Sequence, residues 1–125
     1  MQLDTTLKTG ALNPKDREII SLAIGQFNAC GYCVSAHTLM GKGAGLTPDE
    51  IAAARQGSGS AVARLAVQVA KTRGNVSDAE LAAARAAGLT DGQILEVVAG
   101  VALNVLTNYV NNLAGTVIDF PKVEI

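Results

Sequence analysis

The sequence predicts an all-α domain, and three observations carry that reading. Hydrophobic residues make up 49% of the 125 positions and aromatics only 3%, so the apolar mass is Ala, Val, Leu and Ile, side chains through which helices pack closely. Apolar residues recur at three- and four-residue spacing in successive segments, the period of a helix face. Ser, Thr or Asn stands just before several of those segments, where N-caps belong. A chain of this length fits one domain, 1–125, around a single core.

Taken in order, Asn13-Pro14 puts a capping residue before a proline at the first helical position. Ile19, Ile20, Ala23, Ile24 and Phe27 follow at helical spacing, so the first helix covers roughly 14–28. The pattern breaks at Asn28-Ala29-Cys30-Gly31 and resumes as a second helix through Val34, His37, Thr38 and Leu39, until Gly41, Gly43 and Gly45 stop it. Thr47-Pro48-Asp49-Glu50 fits a capping box and launches a short connector helix to about Arg55, ended by Gln56-Gly57-Ser58-Gly59. Val62, Leu65, Ala66 and Val69 share one face of a helix over roughly 60–73, closed by Lys71, Arg73 and Gly74. Ser77-Asp78-Ala79-Glu80 opens an Ala-rich helix to Ala87, and Thr90-Asp91-Gly92-Gln93 opens a long one to about Leu113. About six helices result.

The net charge of −1 has no block of one sign behind it, which excludes the phosphate-neutralising surface of a nucleic-acid binder. Met1-Gln2-Leu3-Asp4 lacks the basic start and apolar run of a signal peptide, and no apolar stretch reaches the length of a membrane span without polar interruption. A cytoplasmic protein with no membrane partner is expected. Scarce aromatics offer no stacking platform for a flavin or haem, and no Gly-rich phosphate loop follows a strand, so no cofactor is expected.

The two cysteines, Cys30 and Cys33, sit three apart. In a reducing compartment such a pair argues for redox or metal chemistry over a structural staple. A zinc site would need more ligands than His37 supplies, and two idle buried thiols are the plain alternative. At a helix start both sulfurs feel unpaired amide donors and the positive end of the dipole, which favour thiolate. One helical turn also brings them close enough to close a disulfide. His37, four residues after Cys33, lies over the same face within reach of that sulfur, which makes Cys33 the better-assisted nucleophile. Glu18, among Ile19, Ile20 and Leu22, needs a partner if buried; His37 or a bridging water would serve, with Lys15 or Arg17 as the surface alternative. Tyr32 either orients the thiols and donates to substrate or caps the core. Asn104, Asn108 and Asn111 or Asn112 share a helix face and read as cross-links between helices or subunits before they read as ligand contacts.

Glu18, then Cys30-Gly31-Tyr32-Cys33, then His37 resembles the Glu, Cys-x-x-Cys, His signature of the AhpD-like (alkyl hydroperoxidase D) branch of the carboxymuconolactone decarboxylase superfamily. The likeness extends from Ala87 through Val98 and over Asn104, Asn108, Asn111, Asn112 and Ala114-Gly115-Thr116. The resemblance implies an all-helical fold that assembles as a homotrimer or homohexamer, and a thiol peroxidase. In it Cys33 would attack a hydroperoxide, Cys30 would resolve the product, and His37 with Glu18 would relay the proton. An external dithiol, thioredoxin-like or lipoyl-type, would restore the thiols. Where the better-known members carry a second histidine before the second cysteine, this chain has Tyr32. Two other readings stand beside the peroxidase: decarboxylation of a muconolactone-type acid, and a thiol-disulfide adaptor or redox sensor.

Overall fold

Most of the capping signals are realised as hydrogen bonds. Asn13 Oδ1 accepts from the Asp16 amide at 2.8 Å. Thr47 with Glu50 and Thr90 with Gln93 form complete reciprocal boxes, while Ser77 makes only the forward bond, accepting from Glu80 N at 3.1 Å. Each such cap contributes about 1 kcal/mol to its helix. The computed structural model describes residues 2–125 and is all-helical among them, with α1 Gln2–Lys8, α2 Pro14–Phe27, α3 Gly31–Gly43, α4 Pro48–Arg55, α5 Ala61–Thr72, α6 Asp78–Ala86 and α7 Asp91–Ala114.

The count of six is corrected to seven by α1. This short helix buries no residue, carries an exposed Asp4–Lys8 pair at 3.0 Å, and has only Leu3 and Leu7 as an apolar pair, too little for a periodic pattern. It is tethered through the loop behind it: the Glu96 carboxylate on α7 accepts from the amides of Ala11 at 2.7 Å and Leu12 at 2.8 Å, and Leu12 is buried in the core. α3 ends at Gly43, within the Gly41–Gly45 stretch. A Cβ on Gly41 would stand 3.1 Å from Leu46 Cδ1, so the missing side chain is what lets the returning loop pack against the helix.

α2 is the central helix, packed on α3, α4, α5 and α7. Its Ile20 and Ile24 join Val62, Leu65, Val97 and Val101 in one apolar cluster, and its Leu22 joins Leu46, Ile51 and Ala54 in another. Full burial of each such side chain is worth about 1.5–3 kcal/mol, so α2 and what it carries are held firmly. α7 buries Val97, Val101, Asn104 and Asn108 and exposes Leu95, Leu106, Tyr109, Val110 and Leu113. By length and composition alone this helix could cross a membrane; 33% of its apolar window is buried within the domain, and Asn104 and Asn108 interrupt it on the buried side.

Candidate active site

The site begins where α2 ends. Asn28, Ala29 and Cys30 donate their amides back to Ile24, Gln26 and Gly25 carbonyls at 2.9, 3.1 and 2.9 Å, closing the helix. Ala29 takes a left-handed conformation, φ +52°, which for an L-residue with a Cβ costs about 1 kcal/mol. That turn makes Cys30 the N-cap of α3, with Sγ accepting from Cys33 N at 3.2 Å. Cys30 and Cys33 are joined as a disulfide with their Cα atoms 5.2 Å apart. Both are nearly sealed, at 1% and 3% exposure. α2 comes this close because of Gly25, where a Cβ would lie 3.3 Å from Val34 Cγ2 and 3.5 Å from Cys33 Cβ.

One turn beyond Cys33, His37 Nδ1 lies 2.7 Å from Glu18 Oε2 across the α2–α3 interface. A carboxylate oxygen accepts, so Nδ1 carries the hydrogen and Nε2 keeps a lone pair able to take a proton. The ring makes no hydrogen bond to either sulfur. Glu18 and His37 border a cavity of about 310 Å³ between α1, α2, α3 and α7, where Leu7, Met40 and Leu103 meet Asp4, Lys8 and Arg17; neither Cys30 nor Cys33 lines it.

Tyr32 points the other way. Its ring meets Phe120 at a centroid distance of 5.1 Å and a 60° tilt. Phe120 belongs to the segment after α7, which crosses the first turns of α3. Ile118 Cδ1 lies 4.0 Å from the Cβ position of Gly31, Val123 N donates to the buried Ser35 Oγ at 2.9 Å, and Arg55 Nη2 donates to Glu124 O. Residues 116–125 thus strap the end of α3 that holds the sulfurs. Residues 117–125 show no helical period and carry no role readable from sequence, while Thr116, read with the final helix, lies beyond its end at Ala114.

The asparagines of α7 divide. Asn104 Nδ2 donates back to Gly100 O, one turn earlier within α7, at 2.8 Å. Asn108 Oδ1 accepts from Asn28 Nδ2 at 3.0 Å and Asn112 Nδ2 donates to Asn28 O at 3.0 Å, so these two tie α7 to the turn before Cys30. Asn111 instead places Nδ2 3.7 Å from Cys33 Sγ, a sulfur contact that the helix-face pattern did not single out. Among the described residues no group of three or more His, Cys, Asp or Glu side chains could hold a metal ion.

The chemistry available here is a dithiol–disulfide pair at a helix start, with a His–Glu pair one turn away on a cavity. Among solved structures, an uncharacterized peroxidase-related protein from Silicibacter sp. TM1040 superposes with a TM-score of 0.77 at 17% identity, over 98% of this chain and 67% of that one. That likeness establishes the fold. No curated protein matches the sequence. The family model described as CMD, carboxymuconolactone decarboxylase family, matches residues 1–72, a stretch that contains Glu18, Cys30, Tyr32, Cys33 and His37. With more than half of its length matched, the chain belongs to the carboxymuconolactone decarboxylase family.

Proposed function

We propose that the protein is a thiol-dependent peroxidase of the AhpD-like type, acting on organic hydroperoxides through Cys33 and Cys30. The observation that carries this reading is the buried Cys30–Cys33 disulfide at the start of α3, beside the Glu18–His37 pair. The Cys33 thiolate attacks the terminal oxygen of the hydroperoxide; an S–O bond forms, the O–O bond breaks, and the alcohol leaves with a proton delivered from His37. The resulting sulfenic acid condenses with the Cys30 thiol, releasing water and forming the disulfide. An external dithiol then returns two electrons and two protons by thiol–disulfide exchange. Leu7, Met40 and Leu103 in the cavity beside His37 suit the alkyl portion of such a substrate, and the peroxidase-related description of the Silicibacter structure points the same way.

The test is multiple turnover of cumene hydroperoxide with dithiothreitol as reductant. Wild type should consume peroxide catalytically, Cys33→Ser and Cys30→Ser should each abolish turnover, and His37→Ala should slow it by about 10²-fold, the scale of a lost general acid–base. Equal peroxide loss in the wild type and both cysteine variants would refute the assignment.

Family membership supports a second reading, proton transfer on a muconolactone-type acid by His37 and Glu18 without the thiols. Turnover of such an acid by the double Cys→Ser variant would favour it. The exposed apolar side of α7, with Leu113 at 92% and Leu95 at 69% exposure, supports self-association as a trimer or hexamer. Light scattering that found only monomer would overturn this.

A further inference from the structure

The second sulfur of the pair has a neighbour from another helix that lies outside both the Cys-x-x-Cys motif and the family match. Asn111, near the end of α7, brings Nδ2 to 3.7 Å from Cys33 Sγ. Which end of the amide faces the sulfur follows from its other partners. Thr107 O, one turn earlier, can only accept, and it takes Nδ2 at 2.9 Å. On the other side Thr116 Oγ1 donates to Asn111 Oδ1 at 2.7 Å, brought back by the left-handed turn at Gly115, φ +59°. One N–H is thus committed to Thr107 O, and the second is the one available to Cys33 Sγ. Cys30 Sγ has a different donor, the backbone N–H of Cys33 at 3.2 Å. Each sulfur has its own hydrogen-bond donor, and that of Cys33 is a side chain.

We propose that Asn111 is a catalytic residue whose amide N–H stabilises negative charge on Cys33 Sγ, and that Thr116 is the residue positioning it. The proposal rests on the reading of Cys33 as the attacking thiol. In the forward step an electron pair leaves Cys33 Sγ for the peroxide oxygen, so the reactant is the thiolate form of the sulfur that the N–H faces in the disulfide. In regeneration a dithiol thiolate attacks Cys30 Sγ, the S–S bond breaks, and the electron pair returns to Cys33 Sγ as thiolate. Both steps begin or end with negative charge on the sulfur that Asn111 contacts. A donor aimed at an anionic sulfur is among the stronger hydrogen bonds, and it lowers the pH at which the thiolate forms.

The other groups bearing on that charge are few. α7 carries no carboxylate or cation between Val97 and Ala114. On α2, Glu18 is held by His37 of α3. On α4, Arg55 is engaged by Gln26 Oε1 and Glu124 O. Tyr32 on α3 faces Phe120, and the strap contributes Asp119, Lys122 and Glu124, the last two paired at 3.5 Å. All of these stay unchanged when Asn111 is altered.

The experiment uses the full chain carrying Cys30→Ser, which leaves Cys33 the only thiol, and follows alkylation by iodoacetamide as a function of pH. No peroxide is involved, so the outcome is separable from that of the peroxidase assay. Asn111→Leu and Asn111→Asp should each move the midpoint upward, so that alkylation at pH 7 falls about tenfold while the plateau at high pH is retained. Thr116→Val should move it in the same direction by less. If Asn111→Leu does not fold, Thr116→Val carries the test, because the carboxylate of Asn111→Asp also raises the midpoint by its own charge. A midpoint unchanged in Thr116→Val, and in Asn111→Leu where it folds, would overturn the proposal and leave Asn111 a structural tie. Midpoint shifts in a protein that consumes no peroxide would overturn the peroxidase reading and with it the catalytic role of Asn111, while its stabilisation of the Cys33 thiolate would stand.

Discussion

Both sulfurs are nearly sealed, and the segment that follows α7 lies on Gly31, Tyr32 and Ser35 beside them; if that segment controls access, a dithiol reaches the sulfurs only when it lifts. Its hold on α3 can be itemised. The Tyr32–Phe120 pair and the apolar contact around it are worth about 1–2 kcal/mol, and the Val123–Ser35 hydrogen bond about 1 kcal/mol. When opening and closing are fast, the reduction rate follows the open population, and a change of 1–2 kcal/mol alters that population by a factor of roughly 5–30. Phe120→Ala should therefore speed reduction of the Cys30–Cys33 disulfide by dithiothreitol about 5–30-fold, and Ser35→Ala about fivefold. The assay is pseudo-first-order reduction of the oxidised protein, with the melting temperature measured alongside to separate local release from global loosening. Rates within twofold of wild type in both variants would refute the idea that the strap controls access.

Three further predictions concern the frame around the site. Glu96 accepts two backbone amides with one carboxylate; Glu96→Gln keeps one acceptor and turns an NH2 toward a donor, so it should cost about 2 kcal/mol in urea unfolding, and a loss under about 0.5 kcal/mol would contradict the clamp. Ala29 sits exposed at φ +52°, so Ala29→Gly should raise stability by about 0.5–1 kcal/mol despite the entropy of glycine; a destabilised variant would mean that the left-handed turn carries no strain. Burial holds the Asp16 carboxyl above its usual range, opposed by the backbone of Asn13. The folded state therefore keeps its proton to higher pH than the unfolded chain, and that contribution is present in acid and lost as pH rises through the folded value. Asp16→Asn should gain stability relative to wild type between acid and neutral pH, and an advantage that shrinks over that range would show the sign to be wrong.

The parts of the fold that sequence made legible are those whose cause is local. Thr47-Pro48-Asp49-Glu50 and Thr90-Asp91-Gly92-Gln93 write their own helix starts, and both form as full capping boxes. The stop before Cys30 is likewise local, a chain reversal at Ala29. The proximity of Glu18 to His37 was readable as a need, since a carboxylate among Ile19, Ile20 and Leu22 requires a partner, although only the α2–α3 packing supplies the 2.7 Å contact. What stayed hidden depends on distant residues. α1 offers only Leu3 and Leu7 as an apolar pair, and the loop behind it is held by Glu96, more than eighty positions away. The strap has no periodicity of its own and acquires a conformation from Tyr32, Ser35 and Arg55. Asn111 shares its helix face with Asn104 and Asn108, and only the approach of α3 distinguishes the one that touches sulfur from those that tie the backbone.

The central claim is that Cys33 is the atom oxidised by peroxide and Cys30 the one that resolves it. The most direct measurement is a single-turnover reaction of reduced Cys30→Ser protein with one equivalent of cumene hydroperoxide, trapped with dimedone and read by peptide mass spectrometry. The account predicts one dimedone adduct, on Cys33, with one equivalent of alcohol released. Unmodified Cys33 with the peroxide intact, while Cys33→Ser protein accumulates the adduct on Cys30, would contradict it.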